Sequence, residues 1–146
     1  MKKTIIFYWL FLSSISYAFD CNNAMTQGDM NYCAGEEYKK VDKKLNQIYK
    51  EILKHISDEQ ETVNLLKKSQ NLWIKYRDAD CEFRSSGVYG GSVYPMILLM
   101  CLTEKTEERI KEFEAMLKCE EGDLSCPFII KTQNLGSVKE PKYINS

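Results

Sequence analysis

The sequence predicts an all-α fold: a small antiparallel three-helix bundle stapled by disulfides, with an irregular C-terminal tail. Three observations predict it. Apolar residues recur at steps of three and four in three long stretches, the connections between those stretches are short, and six cysteines are spread along the chain. Short connections make successive helices antiparallel neighbours, and cross-links supplement what a small core contributes.

The first eighteen residues stand apart. Lys2 and Lys3 form a basic start, Thr4 to Leu12 are mostly apolar, and Ser16-Tyr17-Ala18 offers small residues where a signal peptidase reads. The apolar stretch is too short to span a bilayer. Residues 1–18 therefore read as a signal peptide cleaved after Ala18, leaving Phe19 as the mature N-terminus. Phe19-Asp20 before Cys21 does not suit a lipid-attachment site, and no later segment is apolar enough to span a membrane. The expected location is periplasmic or secreted, with no stable membrane insertion.

Residues 19–118 read as the helical domain. Thr26, with Asp29 three residues on, is an N-cap followed by an acid in the first turn. Met30, Ala34, Tyr38, Val41, Leu45, Ile48, Ile52 and Ile56 then mark one face of a helix over about 26–56, with six lysines mostly between them. Ser57-Asp58-Glu59 makes a turn and the cap of a second helix. Val63, Leu66, Gln70, Trp73, Arg77 and Cys81 continue its inward face to about residue 84. Three glycines within Ser85–Ser92 break the periodicity. A third helix follows, with Met96, Met100, Thr103, Ile110, Phe113 and Leu117 facing inward; Leu98, Leu99 and Leu102 make its first half apolar nearly all round, so that half is expected to be covered on several sides. Pro95 is tolerated in its first turn. In residues 119–146, Gly122, Pro127, Gly136 and Pro141 interrupt any helix, leaving an irregular tail whose apolar spot is Phe128-Ile129-Ile130.

Cys21, Cys33, Cys81, Cys101, Cys119 and Cys126 are an even set in an exported chain, which points to disulfides. Cys33 and Cys81 are about equally far from the first turn and could meet across a hairpin. Alternatively Cys21 folds back onto Cys33 and Cys81 reaches Cys101 across the glycine loop; with 119–126, that set closes three local loops and is preferred. A metal site is not expected, because there is no C-x-x-C pair and one histidine, His55. No cofactor is expected either. A nucleophilic cysteine would need a base, and His55 alone gives that little support. Losing Lys2 and Lys3 takes the formal charge from −1 to −3, which argues against nucleic acid as a partner.

Two segments are distinctive beyond their spacing. One runs from Cys21 through Thr26-Gln27-Gly28-Asp29-Met30-Asn31-Tyr32-Cys33-Ala34 to Asp42-x-x-Leu45-Asn46-x-x-Tyr49. The other is Gln70-x-x-Trp73-x-x-Tyr76-Arg77-Asp78-x-x-Cys81, followed by Gly90-Gly91-Ser92 and Cys101. Over roughly residues 21 to 117 the chain resembles the bacterial exported family named after the lysozyme inhibitor LprI. The resemblance implies a helical, disulfide-stabilised envelope protein and, as an activity, inhibition of lysozyme. Cys119 and Cys126 lie outside that pattern and read as a separate clamp.

Structural roles are expected for most of these residues. Leu45, Tyr49 and Trp73 are at core spacing, and Tyr76 belongs to the same motif. Asp42 and Arg77 fall at similar heights on antiparallel helices, where a bidentate pair would fix register, with Asn46 and Gln70 completing the network; the functional alternative is that Arg77 or Asp78 reaches into a partner's active site. The expected binding element is instead the loop, through Ser86, Gly87, Tyr89, Gly90 and Ser92: glycines let a partner approach the backbone, and tyrosine supplies a rigid contact. The expected function is to bind and block a lysozyme or other peptidoglycan hydrolase, since plugging a two-carboxylate cleft requires no catalytic residues. The alternative is an immunity or adaptor protein that binds another envelope protein. Glu36, Glu37, Asp78, Asp80 and Glu82 form no recognisable paired site, so an enzyme is not expected.

Overall fold

The computed structural model describes residues 20–120 and 122–128; the leader expected over 1–18 and the tail beyond 128 lie outside them. Three helices make up the described chain: α1 (Gln27–His55), α2 (Gln60–Ser85) and α3 (Tyr94–Met116). Short 3-10 turns at Cys21–Asn23 and Ser86–Val88 precede α1 and follow α2. Among the described residues there is no strand. No helix there is long and apolar enough to cross a membrane.

Local chemistry sets the helix ends. Thr26 accepts from the Asp29 amide while the Asp29 carboxylate accepts from the Thr26 amide, a reciprocal cap that satisfies two otherwise free donors. The cap expected on α2 is not made by a side chain. Glu59 holds the position without accepting from a first-turn backbone amide; its carboxylate accepts from the Thr62 hydroxyl at 3.2 Å instead. Pro95 sits in the first turn of α3, where its missing N–H has no helical partner to lose.

All six cysteines are bonded, as 21–33, 81–101 and 119–126. The local set is the one formed, and the Cys33–Cys81 hairpin bridge is not. The chain order explains why. α1 and α3 run parallel with the most extensive contact in the bundle, and α2 packs mainly on α3. Cys81 therefore faces α3 and Cys101 rather than α1.

The apolar core occupies one end of the bundle. Val41, Leu45, Ile48, Ile52 and Ile56 of α1 meet Val63 of α2 and Ile110 and Phe113 of α3. Trp73 and Tyr49 are partly buried along its edge. Phe128 also belongs to this cluster, at 7% exposure. The Cys119–Cys126 bridge turns the chain back on itself and returns that ring to the end of the helices, so the stretch read as tail begins by closing the core.

The first half of α3 differs from expectation. Met100 is 56% exposed, and Met96, Leu98, Leu99, Leu102 and Thr103 are only half-buried. Thr106 and Arg109 face inward instead. A stretch apolar on every side carries no periodic signal, so its inward face is decided by where α1 and α2 lie.

Candidate functional site

The motif residues form a polar and aromatic spine through the middle of the bundle. Arg77 is 5% exposed. Its Nε and Nη2 donate to Asp78 Oδ1 at 2.9 and 2.8 Å, and its Nη1 donates to the Thr106 hydroxyl at 3.3 Å. Asp42 is 3.7 Å away, a loose ion pair and not the bidentate one expected. Asp42 is held by its own helix: the Asn46 amide donates to its carboxylate and its carbonyl, both at 2.9 Å. With α1 and α2 in little direct contact, the guanidinium turns to the nearer carboxylate and to α3.

Gln70 belongs to a second network. Its carbonyl oxygen accepts from Arg109 Nε at 3.1 Å, and Arg109 also pairs with Glu112. Trp73 lies between the two cations, with Arg77 at 5.1 Å and Arg109 at 5.6 Å from its ring centre. Arg109 also covers Phe113 at 4.4 Å, and Arg77 faces Tyr38 at 5.6 Å. Burial raises the Tyr38 hydroxyl above its ordinary range, against the pull of Arg77. Among the described residues every buried side-chain nitrogen and oxygen has a partner. These groups are tied down in packing: Arg77 is not available to reach into a partner. Arg109 escaped the sequence reading, although an arginine three residues from Thr106 and four from Phe113, on the inward spacing, is a legible signal.

The surface features gather at the other end, where α2 finishes and α1 and α3 begin. Residues 86–93 are a run of bonded turns: Tyr89 N–H donates to Ser86 O, Gly91 N–H to Val88 O, and Tyr94 N–H to Gly91 O. Gly90 has φ 77°, a conformation that favours glycine, and a Cβ on Gly91 would meet Val88 O at 3.1 Å. Three ties hold the loop. Cys81–Cys101 lies beneath it, the buried Ser85 hydroxyl donates to Cys81 O at 2.7 Å, and the Asn31 amide donates to Ser92 O at 2.9 Å. Tyr89 projects from this frame 79% exposed, its ring edge-on to Tyr94 at 5.2 Å. A Cβ at Gly87 or Gly90 would meet nothing within 4 Å, so the backbone there is open to approach.

Beside the loop, a shallow groove of about 520 Å³ lies along α3. Ala34, Ile97, Met100 and Cys101 supply apolar lining, and Glu37, Glu104, Glu107 and Arg84 supply charge. Among the described residues, neither Glu104 nor Glu107 holds an ion pair within 4 Å, while Arg84 pairs with Asp80 at 2.8 Å and also feels the charge of Glu104. An apolar floor edged by three carboxylates and one arginine is complementary to a cationic protein surface. Among the described residues no three His, Cys, Asp or Glu side chains gather as for a metal.

Asp80 also accepts from Lys105 at 2.9 Å, joining α2 to α3. Lys105 and Arg84 together hold its carboxyl below the ordinary range, and Lys44 does the same for Glu114, joining α1 to α3. A carboxyl held low in the folded chain stabilises it above the unfolded group's titration and ceases to as pH falls through the folded value. Thermal midpoints should therefore be level above about pH 5 and decline below about pH 4. Asp80→Asn should lower the neutral-pH midpoint and make the acid decline shallower. Circular-dichroism melts of both chains between pH 3 and 7 check this.

A family model described as "Lysozyme inhibitor LprI" matches residues 20–113. An uncharacterized protein of Rhizobium meliloti is 34% identical, over 70% of this chain and 82% of its own. An uncharacterized protein of Rickettsia conorii is 80% identical over 28% of this chain and 86% of its own. The uncharacterized protein YecT of Escherichia coli is 37% identical over 47% of this chain and 51% of its own. No solved structure matches.

Proposed function

The chain belongs to the lysozyme inhibitor LprI family, and from that premise we propose that it is exported, cleaved after Ala18, and blocks a lysozyme by binding it. The observation that carries the binding site is the loop at residues 86–92: it holds an exposed Tyr89 on a backbone cross-linked from below. A loop ordered before binding loses little freedom on binding, so its contacts contribute more of their energy to affinity. Ser86, Gly87, Gly90 and Ser92 form the surface around that ring, and the carboxylate-edged groove extends it toward a basic enzyme. Three disulfides fit an oxidising compartment outside the cytoplasm. Inhibition by occlusion asks nothing of the chain chemically: the lysozyme's own carboxyl groups are simply kept from glycan.

The oxidised chain should suppress peptidoglycan lysis by at least one of the c-, g- and i-type lysozymes at stoichiometric ratios. Undiminished lysis by all three at excess would remove the proposal. Tyr89→Ala should weaken binding to that lysozyme roughly 30-fold, as truncation of a central aromatic anchor does, with helical content unchanged. Unchanged affinity would move the contact to the helix faces.

A further inference from the structure

One stripe of α2 is buried, through Val63, Gln70, Arg77 and Cys81. Roughly 145° round the helix, at 3.6 residues per turn, lies a second apolar stripe. Leu65, Ser69, Leu72, Tyr76, Ala79 and Phe83 follow at alternating steps of four and three, the seam spacing of a coiled coil. Its large side chains are 61%, 57%, 59% and 76% exposed at Leu65, Leu72, Tyr76 and Phe83. They extend about 27 Å along the helix at 1.5 Å per residue. Contiguous exposed apolar surface of that kind marks a contact.

We propose that this seam joins two copies of the chain, α2 against α2, antiparallel. The sequence of the stripe fits that arrangement about its own midpoint. Setting Phe83 against Leu65 of the second copy also sets Tyr76 against Leu72 and Ala79 against Ser69. Large side chains then meet large ones and small meet small, in six layers related by a two-fold axis. The same register brings Lys68 beside Glu82 of the second copy; among the described residues neither has an ion pair within its own chain. A parallel pairing would place Lys68 beside Trp73 and Glu82 beside Gly87, with no charge partner for either.

The size of the seam sets its class. Four large side chains a little over half exposed bury roughly 400–500 Å² per copy, short of the ~800 Å² per partner of a stable complex. Lys75 also meets its own copy near the axis. The dimer is therefore a dissociable one, in the class of small transient interfaces. It leaves Tyr89 and the loop uncovered, so it stands or falls apart from the lysozyme reading.

Sedimentation equilibrium of the oxidised chain should show a monomer–dimer equilibrium, with Phe83→Glu and Leu72→Glu each monomeric and their helical circular dichroism unchanged. Orientation is read by cross-linking, since every native cysteine is already bonded. Leu65→Cys with Phe83→Cys in one chain should give a covalent dimer on mild oxidation, and Phe83→Cys alone should not. A wild-type chain monomeric up to several hundred micromolar, a dimer that survives Phe83→Glu, or efficient cross-linking of Phe83→Cys alone would each overturn the proposal.

Discussion

Reduction of the three disulfides should unfold this chain near 37 °C while the oxidised form stays helical. The bonds close sequence separations of 12, 20 and 7 residues. In the chain-entropy description these stabilise by about 3, 3 and 2 kcal/mol. Their combined effect rivals the ~5–15 kcal/mol net stability of a typical domain. The location of the core makes the effect larger at one end. The buried apolar cluster lies where α1 ends, α2 begins and α3 ends, leaving the loop end dependent on Cys81–Cys101, Cys21–Cys33 and half-buried side chains. Removing Cys81–Cys101 alone by paired alanines should therefore cost about 3 kcal/mol, melt the loop end first and reduce lysozyme affinity with it. Circular-dichroism melts with and without reductant, and amide exchange of the paired variant, read both effects. A reduced chain with verified free thiols and an unshifted midpoint would show that the helices stand without their staples.

Phe113→Ala should be the most damaging substitution in the core, costing about 3–5 kcal/mol. Phe113 is 0% exposed. Its ring stacks on Tyr49 at 6.2 Å and 23°, and supports the Arg109 guanidinium at 4.4 Å. Truncation opens a cavity among Ile, Leu and Val side chains that relax only partly, and it removes one aromatic face from a buried cation. Arg109 then relies more on Trp73, Gln70 and Glu112. Phe113→Leu, which retains most of the volume, should cost far less, on the order of 1 kcal/mol. Urea unfolding of the three chains separates the cases; equal losses for Ala and Leu would assign the effect to the ring–cation contact and not to the cavity.

How much of this was legible depends on the kind of signal each residue gives. α1 was readable almost to its ends, because a reciprocal Thr26–Asp29 cap and five core aliphatics at strict spacing agree with each other. The inward face of α2 was readable even at Gln70 and Arg77, since polar residues on an apolar spacing must still face the core. Local loop closure favoured the disulfide set that forms, but left a Cys33–Cys81 bridge across the hairpin open. The loop was readable as a break and its glycines as points of close approach, whereas the left-handed backbone at Gly90 was not.

The sequence by itself determined an all-α, cross-linked chain with three helices, their inward faces in α1 and α2, and membership of a motif family. Tertiary structure alone decided which side of the first half of α3 is covered, which carboxylate Arg77 holds, that Arg109 completes the Trp73 stack, that Phe128 closes the core, and that a second stripe of α2 stays exposed. The physical reason is common to all five. Periodicity along one helix reports how much apolar surface it offers, whereas burial and pairing depend on where neighbouring helices stand. Ion pairs and rings answer to differences of about an ångström between elements distant in sequence, and no spacing within one helix encodes that distance.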